Sequence, residues 1–207
     1  MNEKNSPPLM LIGILLIGMI GAGALLWGLG KIRQDNEPIV VTTGEADIGG
    51  PFSLIDQNGT RQNDKDFRGH HMLVFFGFTY CPDVCPTTLS VLSAALNDIG
   101  PLAENIVPIF ISVDPARDTP EILKPYLSAF GPEFVGLTGT KEEIDKAVSV
   151  YRAFYQISDS EGDDYLVDHS TVIYLMDDEG NFVTNYDLNM GPGAIAADLR
   201  QKIRDAR

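Results

Sequence analysis

Basic side chains are scarce in this sequence. Its 207 residues hold 15 Lys and Arg against 29 Asp and Glu, a formal net charge of −14. Nucleic-acid binding depends on cations that neutralise phosphates, so nucleic acid is excluded as a partner. Cysteine is scarcer still. Two residues are too few for a disulfide scaffold, an iron–sulfur cluster or an all-thiolate zinc site, though enough for a pair. Histidine occurs only three times. Internal repeats and low-complexity runs are absent from residues 51–207, and hydrophobic residues make up 44% of the chain. A chain of this length and composition can bury one ordinary core without disulfide staples, and disorder of the whole is not expected.

One stretch lacks charge altogether. Leu9 to Gly30 reads LMLIGILLIGMIGAGALLWGLG, 22 residues. At about 1.5 Å each these reach roughly 33 Å, enough to cross a bilayer's hydrocarbon core. Ala22-Gly23-Ala24 mimics a signal-peptidase site, but apolar residues continue through Leu25, Leu26 and Trp27, so an uncleaved anchor is the preferred reading. Nothing resembles an Arg-rich transit peptide, and a bacterial membrane is the simpler expectation. Lys31 and Arg33 follow the span, and a strict positive-inside count over so few charges would leave the domain cytoplasmic. The expected organisation is a short tail (1–8), a transmembrane anchor (9–30), a polar linker (31–50) with Pro38, Gly44, Gly49 and Gly50, and a domain (51–207).

Within that domain, Phe52-Ser-Leu-Ile reads as a short strand entering a turn at Asn58-Gly59. Met72–Phe78 and Ile106–Val113 are continuous apolar runs, as expected of strands buried on both faces. Between them Leu89, Leu92, Leu96 and Ile99 recur at helical spacing, predicting a helix over 87–99. Thr119 and Pro120 form a helix start, Thr as N-cap and Pro in the first turn. A short strand over 134–137, a helix over 141–153, a hairpin of 171–176 with 182–186, and a last helix over 193–206 complete the pattern. This order predicts an α/β domain with a central sheet flanked by helices, the order of the thioredoxin fold.

The chemistry concentrates at Cys81-Pro-Asp-Val-Cys85-Pro86, directly after the first buried run. Each proline disfavours helix in the cysteine before it, so the expected arrangement is a loop with Pro86 opening the next helix and Cys85 as its cap. The helix dipole there would favour thiolate. Two thiols so placed suit metal capture or disulfide exchange, against the plainer reading of two unrelated buried cysteines. His70 and His71 read as solvated residues at a strand end. Asp168-His169-Ser170 is no serine-hydrolase triad, because three consecutive side chains cannot converge in relay geometry. On the residues alone His169 stands equally as an ordinary loop residue or a ligand.

Three separated motifs resemble the Sco/SenC family: Cys81-Pro-Asp-Val-Cys85-Pro86 preceded by Phe76-Gly-Phe-Thr79, then Ser112-Val-Asp-Pro-Ala-Arg-Asp-Thr-Pro120, then Asp168-His-Ser-Thr171. They occur in the family's order and the resemblance covers roughly residues 50–205. It implies a thioredoxin-like domain on a single membrane span, binding copper and serving assembly of the binuclear copper site of cytochrome c oxidase. Carried over by position, the implied copper ligands are Cys81, Cys85 and His169. Two thiolates and an imidazole suit Cu(I), with Cu(II) also within their range, while ligand count alone leaves zinc open. Asp83 and Asp168 are candidates for orienting the ligands, each with an equal claim as a turn residue. Arg117, Asp114 and Asp118 are expected to brace their loop by ion pairing.

The resemblance also places the domain outside the cytoplasm, overriding the local charge count: a bacterial inner-membrane protein facing the periplasm. The implied partners are a copper donor protein, the copper-bearing oxidase subunit, and the membrane through the N-terminal helix. In an oxidising compartment Cys81–Cys85 becomes a redox-active pair, since a disulfide withdraws both thiolate ligands. The chain is thus expected to be a copper metallochaperone and not an enzyme. The alternative is a thiol–disulfide oxidoreductase that reduces the cysteines of the target site, and a peroxidase is a weaker third reading. The Cys-x-x-x-Cys spacing differs from the Cys-x-x-Cys of a thioredoxin-like redox motif.

Overall fold

The turn at Asn58-Gly59 joins two short antiparallel strands, β1 (Ser53–Asp56) and β2 (Arg61–Asn63). Asp56 Oδ1 accepts from the amides of Asn58 and Thr60, both at 2.8 Å, and Gly59 takes the positive φ of 80° that the reversal requires. The structure, a computed structural model, describes residues 47–158 and 165–205. The apolar run over 9–30 and most of the linker lie outside these residues. Among the described residues no helix is long and apolar enough to cross a membrane.

The first apolar run becomes β3 (His71–Gly77), buried at every position. It begins one residue earlier than the apolar pattern suggests, so His71 pairs with Ile106 and is buried, whereas His70 remains exposed. Helix α1 (Val84–Ile99) follows, then β4 (Ile106–Ser112), parallel to β3. Helix α2 (Pro120–Ser128) starts where Thr119-Pro120 predicts. Next come β5 (Val135–Thr138) and α3 (Lys141–Val150), the latter opened by a capping box between Thr140 and Glu143. Two three-residue strands, β6 (Tyr155–Ile157) and β7 (Val167–His169), pair only with each other. The hairpin β8 (Ile173–Met176) and β9 (Phe182–Tyr186) and helix α4 (Gly191–Asp205) close the chain.

The main sheet has seven strands in the order β2-β1-β5-β4-β3-β8-β9. Its centre, β5-β4-β3, is parallel, and antiparallel strands extend it on both sides, so the sheet is mixed. Helices flank it as expected for the thioredoxin-like layering. The core joins Phe75, Phe76 and Phe110 of the central strands to Leu89 and Leu92 of α1 and Leu199 of α4. The C-terminal ends of β3 and β4 and the start of β8 fall at the same end of the sheet, since Gly77 pairs with Ser112 and Phe75 with Ile173. That end of an α/β sheet is where ligands usually sit, because the connecting loops open there.

Helix α1 corrects one expectation. It begins at Val84 with Asp83 as its N-cap, so Cys85 lies in the first turn and does not cap it. Pro86 costs nothing there: first-turn amides lack intrahelical acceptors, and the carbonyl it would crowd belongs to Pro82, outside the helix.

Candidate metal centre

Cys81 reaches the sheet end from the loop after β3, Cys85 from the first turn of α1, and His169 from the end of β7. The two sulfurs and one imidazole nitrogen all lie within 4.8 Å of one another. Both cysteines are free thiols, Cys85 buried and Cys81 half-buried. His169 Nδ1 lies 3.0 Å from the Ser170 carbonyl. Donating there, it leaves the Nε2 lone pair facing Cys85 Sγ at 3.3 Å, the tautomer a metal ligand needs. The rings of Phe75 and Phe78 meet the imidazole edge-on at 5.8 and 5.7 Å and restrict its rotation. The Cys85 amide points at Cys81 Sγ, 3.4 Å away.

Burial sets the protonation. It pushes the Cys85 thiol well up, beyond what the Phe78 backbone contact takes back. Against the thiolate that the helix terminus favours, burial of this sulfur favours the thiol, so an incoming metal ion must displace the proton. Burial likewise lowers His169 below the usual imidazole range, against the raising contacts of the Ser170 and Phe76 backbone, which favours the neutral ligand form.

The neighbours are placed as follows. Asp83 is exposed at the start of α1, with Thr87 Oγ1 3.4 Å from its carboxylate. Asp168 is exposed on β7 opposite Gln156 and acts on the imidazole only through space, the Ser170 carbonyl being the group that orients it. Asp114 pairs with Arg117 as expected. Asp118 does not. It is fully buried and accepts from the Thr79 amide at 3.0 Å and from the hydroxyls of Thr79 and Ser112, fixing the start of the cysteine loop to the end of β4.

Gly77 escaped sequence reasoning. A Cβ there would lie 2.6 Å from Cys85 Sγ and 2.8 Å from Phe110 Cε2, so only glycine lets the sulfur settle against β3. A lone glycine inside an apolar strand run was the available signal.

The profile of the SCO1/SenC family matches residues 40–204. The chain belongs to that family. Protein sco1 of Schizosaccharomyces pombe is 44% identical over 162 residues, covering 76% of this chain and 62% of that protein. Protein SenC of Rhodobacter capsulatus is 44% identical over 154 residues, 74% of this chain and 70% of that protein. Among solved structures, Bradyrhizobium japonicum ScoI with copper bound superposes with a TM-score of 0.70 at 47% identity, covering 74% of this chain and 98% of that one. The chain thus spans under two thirds of the S. pombe protein's length. Homologous structures hold copper, and this chain's cluster of two sulfurs and one imidazole is a set of soft donors that could hold a metal ion.

Proposed function

We propose that this chain is a membrane-anchored copper metallochaperone, holding one copper ion through Cys81, Cys85 and His169 for delivery to the binuclear copper site of cytochrome c oxidase. The observation that carries the reading is the convergence of three soft donors from two distant parts of the chain. Three donors suit Cu(I), whereas structural zinc takes four protein ligands. One sulfur is buried and the other half-buried at the surface, which leaves a side from which a partner's ligands can take the ion. Full-length protein solubilised in detergent and reduced should bind one copper per chain. His169→Ala should weaken copper retention and leave dithiol exchange intact. A ratio near two, or copper retained by the Cys81/Cys85 double variant, would overturn the ligand assignment.

The asymmetric thiol pair also supports a second reading, a thiol–disulfide oxidoreductase acting on the cysteines of the same target site: Cys81 is positioned to attack and Cys85 to resolve. That reading has no use for His169, so unchanged copper retention in His169→Ala with normal exchange would favour it.

The 22-residue apolar run supports attachment to the bacterial inner membrane with the domain in the periplasm. Protein held by insertion should stay in the membrane fraction through a high-salt wash, which strips charge-bound proteins. Soluble periplasmic protein beginning near Leu25 would instead identify a cleaved signal.

A further inference from the structure

The imidazole is delivered by an element that the main sheet does not hold. Ribbon β6–β7 has three residues per strand and pairs with no strand of the seven-stranded sheet. A ribbon this short is not stable by itself; Val167 in the core and the packing of His169 on Phe75 and Phe78 hold part of it, and two polar tethers hold the rest. One tether is exposed: Tyr155, opposite His169 in the ribbon, places its hydroxyl against Asp145 and 3.3 Å from Lys141 Nζ, both on α3. The other is more enclosed. Tyr165, just before β7, donates its hydroxyl to Asp114 Oδ1 at 2.6 Å, and its carbonyl accepts from Arg117 Nη1 at 3.0 Å. The Arg117 guanidinium lies 3.6 Å from the centre of the Tyr165 ring and 4.8 Å from that of Tyr80, the residue before Cys81. It also pairs through Nε with Asp114, whose carboxylate is buried.

We infer that Arg117, anchored on Asp114, is a positioning residue that clasps Tyr165 to Tyr80 and thereby holds the His169 ribbon in register with the cysteine loop. The inference rests on the three-donor reading of the site. A planar guanidinium can stack on two rings while its edge bonds a carboxylate and a carbonyl, which an ammonium cannot reproduce. The cysteines depend less on the clasp, because Cys85 is fixed within α1 and the Cys81 amide bonds the Phe78 carbonyl just after β3. Opening the clasp frees the ribbon, and the imidazole then spends part of its time away from the sulfurs. Apparent affinity falls by that fraction, while the thiolate pair keeps its own contribution.

The test is a double-mutant cycle on the full-length reduced protein: Arg117→Met, His169→Ala and the pair, with Arg117→Lys, Tyr165→Phe and Tyr155→Phe alongside. Cu(I) affinity is read by competition with a chromogenic chelator, and imidazole coordination by nitrogen hyperfine coupling in the Cu(II)-loaded protein. Arg117→Met should lower affinity about 10–100-fold, the range for losing a group that orients a ligand. It should also weaken the nitrogen coupling and cost nothing further once His169 is Ala. Arg117→Lys and Tyr165→Phe should fall in between, and Tyr155→Phe should change little; these carry the test if Arg117→Met fails to fold. An Arg117 effect of equal size with and without His169, or full affinity and full nitrogen coupling in the clasp variants, overturns the clasp alone. Affinity indifferent to His169→Ala overturns the ligand assignment and the clasp with it.

Discussion

Oxidising Cys81 and Cys85 to a disulfide is expected to abolish tight copper binding while the fold persists. Closing the bond removes two protons and two electrons to an added oxidant and leaves sulfurs that no longer bind as thiolates. The imidazole of His169 alone is then a single neutral donor. The fold should survive because its core lies in β3, β4, β8 and the helices over them, and the two cysteines are only four residues apart. Bridging so short a loop changes chain entropy little. Copper titration and circular dichroism of the oxidised full-length protein, before and after adding reductant, check both halves. Tight binding by fully oxidised protein would remove the cysteines from the mechanism and the metallochaperone reading with them.

Gly77→Ala should be nearly as damaging, although it adds one methyl group and removes no ligand. The two atoms it would crowd most, Cys85 Sγ at 2.6 Å and Phe110 Cε2 at 2.8 Å, belong to residues with no exposed surface. Neither is the free end of a mobile side chain. Overpacking of this kind costs about 1–3 kcal/mol. Relief requires moving either the core phenyl or the sulfur, and moving the sulfur separates it from His169 Nε2. Denaturant unfolding should therefore show reduced stability, and chelator competition a weaker site, in the same variant. Wild-type values in both measurements would mean that the strand end absorbs the methyl group.

The central strands were legible because burial on both faces writes an unbroken apolar run, which β3 and β4 carry nearly end to end. Ribbon β6–β7 was not. Its strands are three residues long, too short for a run or an alternation to stand out from the surrounding loops. The same contrast runs through the site. Cys81 and Cys85 announce themselves by adjacency and by their prolines, whereas His169 carries no local mark and was singled out only by resemblance. Asp118 was misread as an ion-pair partner because a charged residue near Arg117 suggests one. Its actual donors, Thr79 and Ser112, come from two strand ends that only the parallel pairing of β3 with β4 brings together.

The third donor enters 84 residues after the second. Until ribbon β6–β7 has docked on the body, a folding chain can offer two sulfurs but cannot yet offer the imidazole beside them. A cation gripped by all three donors therefore spans the fold from its first buried strand to its penultimate pair, and it favours only chains that have completed that span. Copper held at this site would act as an inspector of folding as well as a passenger: by mass action it stabilises the finished domain over partly assembled forms that present sulfur alone.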